Sequence, residues 1–146
     1  MKIKFIDNFS FDIHIRKEEI KNINVKNKGE METYLKEIIN KLQNIYKLEI
    51  GGFYNINIYV DDYYGIIINF NKEKLEYYDY FNGGIELNIN IKEATFLYKV
   101  DDIPKKLLDK TEIKLVDNDL YISIIKELNQ TEFMKLMEHA EKIIKI

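Results

Sequence analysis

The chain has 146 residues, 46% of them hydrophobic, and a formal net charge of -3, enough material to bury a core of its own as one ordinary domain. It has no cysteine, which excludes disulfides, thiolate zinc sites and a cysteine nucleophile, and fits a reducing, cytoplasmic setting. The charge is uneven: 1–58 carries 10 basic and 8 acidic side chains, 59–102 carries 4 and 9, and 103–146 carries 8 and 8.

Phosphate-tracking surfaces use clustered Lys and Arg, and a lone arginine, Arg16, among dispersed lysines argues against nucleic acid. MKIKFIDNFSF holds no apolar run of the kind a secretion signal needs, and no stretch approaches membrane-spanning length. The expectation is a soluble cytoplasmic protein with no membrane or nucleic-acid partner.

In chain order, 2–6 (KIKFI) and 11–15 (FDIHI) alternate as two strands around the turn-forming Asp7-Asn8. A polar connection over 16–29 follows, with a short helical turn at 17–21. The period then changes. Met31, Tyr34, Leu35, Ile38, Leu42, Ile45 and Tyr46 fall at helical spacing, with Glu32 and Lys36 four apart on the opposite side, predicting a helix over about 30–47.

Gly51-Gly52 ends that segment. Tyr54, Ile56, Ile58 and Val60 then alternate with Phe53, Asn55, Asn57 and Tyr59, and after Asp61-Asp62 the chain returns through Tyr64, Ile66, Ile68 and Phe70. A strand over 75–81, the hairpin signal Asn82-Gly83 and a strand over 85–91 complete what reads as an antiparallel meander with a polar outer face. Next come a strand at 95–100, a helix at 102–109 started by Asp102 and Pro104 that buries Ile103, Leu107 and Leu108, and a hairpin of 111–116 and 120–125 around Asp117-Asn118-Asp119. A last helix over 130–145 starts at Thr131 and carries the stripe Phe133, Leu136, Met137, Ala140, Ile143 and Ile144. The fold expected is α+β with mostly antiparallel sheet, in the order ββαββ-ββ-βαββα. A single compact domain, divisible into subdomains 1–73 and 74–146, is expected.

No motif for catalysis or a cofactor stands out, so the expectation is a non-enzyme without cofactor or metal. His14 and His139 lack a ligand partner at metal-binding spacing, and Ser10 and Ser123 sit outside a G-x-S-x-G turn. Asp117-Asn118-Asp119 starts like a calcium loop but has neither the glycine at the sixth position nor the closing glutamate. Gly51-Gly52 and Gly83-Gly84 are not followed by the Lys-Ser or Lys-Thr of a phosphate loop. The pairs Asp61-Asp62 and Asp101-Asp102 sit at a turn and a helix start, where Asp is favoured for backbone reasons.

Aromatic and acidic crowding is the most distinctive surface signal: VDDYY at 60–64 and EYYDYF at 76–81. Tyrosine offers a large contact area with a polar tip and is enriched where proteins anchor one another. Asp61, Asp62, Tyr63, Tyr64, Glu76, Tyr78, Asp79 and Tyr80, with Asp101 and Asp102, are the expected protein-binding residues.

The order of segments resembles the MecA-type adaptors that deliver proteins to a Clp ATPase. Met1, Ile3 and Ile6 form an opening M-x-I-x-x-I, Glu19-Ile20 an x-x-E-I, and 34–39 read Y-L-K-E-I-I; Gly52 then precedes two strands joined by a turn to Gly65-Ile66-Ile67-Ile68. These match that family's N-terminal domain in pattern, and 95–142, with TFLYKVDDIPKKLL and LYISII, match the start of its Clp-binding domain. The family's long acidic linker gives way here to a short strand-like segment. The resemblance implies a non-enzymatic adaptor whose N-terminal module captures a substrate and whose C-terminal module docks on the ATPase. A stoichiometric inhibitor, such as a toxin-immunity or phage anti-defence protein with a toxin or effector as partner, fits the acidity and tyrosines equally.

Overall fold

Alternation in β2 (Ser10–Arg16), β3 (Gly52–Asp61) and β4 (Gly65–Lys72) places isoleucines on one face of a sheet, and a helix covers that face. The computed structural model describes residues 1–7, 10–46, 52–73 and 85–146. β1 (Lys2–Phe5) and β5 (Ile85–Glu93) complete a five-stranded sheet in the order β1-β2-β4-β3-β5. β1 with β2 and β2 with β4 are antiparallel, with Ile13 opposite Ile68 and Phe11 opposite Phe70. Helix α1 (Lys28–Tyr46) supplies Met31, Leu35, Ile38, Ile39 and Leu42 to a core shared with Ile13, Ile15, Tyr54, Ile56, Ile58, Ile66, Ile68 and Phe70. Each such buried side chain contributes roughly 1.5–3 kcal/mol of transfer free energy. Ile45 and Tyr46, expected on the apolar stripe, are exposed, and Ile39 takes the buried position instead.

The outer face of this sheet is laced by side-chain amides. Ser10 Oγ donates to Asn71 Oδ1 at 2.8 Å, Asn71 Nδ2 to Asn69 Oδ1 at 2.5 Å, and Asn69 Nδ2 to Asp12 Oδ1 at 2.7 Å. Nearby, Asn88 Nδ2 donates to Asn55 Oδ1 at 3.0 Å and Asn55 Nδ2 donates to Glu73. Cross-strand register explains the first chain, because Ser10 faces Asn71 and Asp12 faces Asn69.

The second sheet is built from β6 (Phe96–Val100), β7 (Thr111–Val116), β8 (Asp119–Ile124) and β9 (Ala140–Lys145) in the order β7-β8-β6-β9, all its pairs antiparallel. Helix α2 (Gln130–His139) contributes Phe133 and Leu136 to a core with Phe96, Tyr98, Leu107, Ile122 and Ile124. The chain divides into two compact units: Met1–Val60 with Gly65–Lys92, and Asp61–Tyr64 with Glu93–Ile146. The second unit is therefore discontinuous in sequence, taking in the turn between β3 and β4.

The α+β class with mostly antiparallel sheet holds, and several details of the pattern differ. The strands do not form a meander: β2 occupies the second side of β4, and β5 lies beside β3. Alternation assigns a strand's faces but not its neighbours, which is why the faces could be read and the order could not. The expected strand 75–81 and the Asn82-Gly83 turn lie outside the described residues.

The helix expected at 102–109 is a single 3-10 turn, Lys105–Leu107. The Leu107 carbonyl already accepts from Lys110 N at 3.1 Å and from Thr111 Oγ1 at 2.7 Å, and β7 starts at Thr111. Leu108, expected to be buried, is exposed.

The last helix stops at His139, and 140–145 form β9. Ile143 and Ile144 suit either period; pairing against the open side of β6, Ile144 opposite Leu97 and Ile143 opposite Tyr98, decides for strand. The helix start is Asn129 rather than Thr131. Asn129 Oδ1 accepts from Glu132 N at 2.8 Å, and Glu132 Oε1 accepts from Asn129 N at 3.0 Å, a reciprocal capping box. Lys110 Nζ lies 2.8 Å from the same Glu132 oxygen, and this ion pair with the Asn129 N–H holds the Glu132 carboxyl below its ordinary pKa.

Candidate functional site

The expected acidic and aromatic residues that fall among the described residues belong to the second unit, where they divide into buried and exposed members. Asp61 is 8% exposed. Its Oδ1 accepts from Tyr63 N and Tyr64 N, each at 2.8 Å, and its Oδ2 accepts from Phe96 N at 2.9 Å. The carboxylate thus closes a turn and ties it to the start of β6. Tyr64 is 6% exposed, its ring centroid 5.4 Å from that of Phe96 and 5.6 Å from that of Phe133. Asp61 and Tyr64 are core residues with no surface to offer a partner. Asp62 and Tyr63 are exposed, the Tyr63 hydroxyl donating to Ile125 O at 3.0 Å.

Asp101 and Asp102 are exposed beyond the other end of β6. Five residue steps separate Phe96 from Asp101, roughly 16 Å at strand rise, so the two acidic pairs are not one patch. Glu76, Tyr78, Asp79 and Tyr80 lie outside the described residues.

Asp102 Oδ1 accepts from Ile103 N at 2.9 Å but does not cap the turn Lys105–Leu107, whose N-cap position is Pro104. Asp101 Oδ1 lies 2.9 Å from His139 Nδ1. That hydrogen bond is the main cause holding the Asp101 carboxyl below its ordinary pKa. A depressed carboxyl pKa contributes stability above the unfolded-state value that is lost as pH falls through the folded-state value. In His139→Gln the Asp101 titration midpoint, followed by carboxyl NMR shifts, is expected to move up. The stability difference between this variant and the wild type should shrink as the solution is acidified through the carboxylate range; a midpoint unchanged by the substitution would refute the coupling.

In the first unit, the polar connection before α1 builds an open groove of about 570 Å³, within the range of small-ligand and peptide side-chain sites. Asn22, Ile23, Asn27 and Gly29 line one part of it and Glu30, Thr33, Tyr34 and Glu37 of α1 the other. Its walls are fixed by local bonds. Asn27 Oδ1 caps α1 by accepting from Glu30 N at 3.1 Å, and Glu30 Oε2 accepts from Asn24 N at 3.1 Å. Asn24 Oδ1 in turn accepts from Lys26 N at 3.1 Å.

Burial, and then the negative charges of Glu19 and Glu37, raise the Tyr34 hydroxyl above its ordinary pKa. A groove with two carboxylates, amides and a neutral phenol suits a cationic or hydrogen-bond-donating side chain. A sequence feature that marks its helical wall, though not the groove, is the N-K-G-E run at 27–30, which has the spacing of a capped helix start.

Among the described residues, no group of three or more His, Cys, Asp or Glu side chains could hold a metal ion, and no helix is long and apolar enough to cross a membrane. Compared with known proteins, the chain matches no family model, no curated protein and no solved structure.

Proposed function

We propose that the chain is a non-enzymatic protein-binding adaptor or regulator that takes a Lys- or Arg-bearing segment of one protein in the groove beside α1. The groove carries this reading, because Glu30, Tyr34 and Glu37 line one open space of about 570 Å³. The pattern resemblance to MecA-type adaptors supplies the second half: the unit containing β6 to β9 docks on a Clp-type ATPase, with exposed Asp101 and Asp102 as its acidic element. Division into two units, each with its own sheet and core, accords with one partner per unit.

Affinity capture with the full chain tests both halves. Glu30→Lys/Glu37→Lys is expected to lose a bound client while retaining the ATPase, and Asp101→Lys/Asp102→Lys to lose the ATPase while retaining the client. Identical partners on wild type and both variants would remove these surfaces from the mechanism. Recovery of a toxin or defence effector without any ATPase would turn the reading to the inhibitor.

A further inference from the structure

Among the described residues, strand β7 is an edge of the second sheet, and its exposed apolar side chains are concentrated on one face. Ile113 is 55% and Leu115 74% exposed, and Leu120, directly opposite Leu115 on β8, is 37% exposed. Glu112 and Lys114, also exposed, alternate onto the other face. We propose that this edge pairs antiparallel with the β7 of a second copy, on a two-fold axis through Ile113, joining two four-stranded sheets into one of eight strands.

The turn fixes which backbone groups are available. Asp117 and Asn118 have φ of 50° and 68°, the signature of a type I′ two-residue hairpin. In that turn the Val116 carbonyl bonds the Asp119 N–H, so Val116 and Asp119 form a hydrogen-bonded pair. Alternation along the ladder then makes Lys114–Tyr121 and Glu112–Ser123 hydrogen-bonded pairs as well. The N–H and C=O groups of Thr111, Ile113 and Leu115 point the other way; Thr111 is only 9% exposed, so the open edge is that of Ile113 and Leu115. A two-fold axis at Ile113 sets Ile113 against its own copy and Thr111 against Leu115, so that the open groups of Ile113 and Leu115 face the partner strand.

Charge selects the same register. With Ile113 opposite itself, Glu112 of each copy faces Lys114 of the other, giving two cross-strand ion pairs on one face while Ile113 and Leu115 of both copies adjoin on the other. An axis moved to Lys114 would put that lysine against itself. A lysine on an edge strand ordinarily deters pairing; a glutamate two residues before it makes this edge complementary to its own copy and to few others.

Sedimentation of the full chain over a dilution series is expected to show a monomer of 17.5 kDa in equilibrium with a species of twice that mass. Glu112→Lys and Lys114→Glu, each placing like charges opposite one another twice, should each weaken the dimer by about tenfold or more. The double variant Glu112→Lys/Lys114→Glu should restore it, and an equimolar mixture of the two single variants should form a mixed dimer. A wild type that stays monomeric at every concentration would overturn the proposal, as would a dimer indifferent to both single changes, or a mixture that fails to associate.

Discussion

Gly65→Ala is expected to destabilise the protein on the order of 4 kcal/mol, a backbone strain cost of about 1–3 kcal/mol compounded by steric overlap that places it among the most damaging single substitutions. Gly65 opens β4 opposite Arg16 with φ of +124°, a conformation L side chains rarely adopt. A Cβ there would lie 2.4 Å from the Ile15 carbonyl oxygen, 2.6 Å from Lys17 N and 2.8 Å from Arg16 C. Those atoms are main chain, so no side-chain rotation relieves the overlap. β2 and β4 would have to part where β2 passes into the 3-10 turn Lys17–Ile20, breaking a ladder that carries Ile13, Ile15, Ile66 and Ile68 into the core. Urea or thermal unfolding measures the loss, with a melting decrease on the order of 10 °C. A change below about 1 kcal/mol would show that the strands do not approach this closely.

Asp61→Ala should cost roughly 3–5 kcal/mol, since hydrogen bonds to a charged acceptor are each worth about 1.5–3 kcal/mol and the three made here do not add independently. Removing the carboxylate leaves Tyr63 N, Tyr64 N and Phe96 N without their acceptor, the latter two in buried surroundings. Water cannot readily replace an acceptor for those two. Asp61→Asn keeps the shape and one acceptor oxygen, and is expected to lose on the order of half as much. Equal losses for the two variants would mean that the charge matters more than the count of acceptors. No loss in Asp61→Ala would mean that the turn holds without this side chain.

Asp61 and Tyr64 show where sequence is informative and where it stops. Turn chemistry places a turn at Asp61-Asp62, as found, whereas alternation makes Tyr64 a strand residue and the structure keeps it in the turn, with β4 starting at Gly65. Nothing local reveals that the Asp61 carboxylate also reaches Phe96 N, 35 residues on, so in sequence a buried turn-locking acid reads as a surface one. Tyr64 misled in the same way: an aromatic beside acids reads as a contact residue until its neighbours Phe96, Tyr98 and Phe133 are known.

Helix α1 was legible because its polar and apolar sides are both clear. Residues 140–145 were not, because Ala140, Ile143 and Ile144 continue the helical spacing of Phe133 and Leu136 while the hydrogen bonds that β6 offers are invisible in sequence. The groove beside α1 was missed for a related reason. Its lining comes from a connection without periodicity, and only folding brings Asn22 and Asn27 alongside Tyr34 and Glu37.

The discontinuity of the second unit bears on how the chain assembles and how it can be divided. A fragment beginning at Glu93 would contain four strands and α2 but would lack Tyr64 and the Asp61 carboxylate, leaving a hole beside Phe96 and Phe133 and an unmet donor at Phe96 N. The missing tetrapeptide is continuous with β3 and β4, so its shape depends on a hairpin that the fragment does not contain. No single cut of the chain therefore yields two autonomous pieces, and closing the interval from Tyr64 to Glu93 is a step that must be completed before the second core is whole.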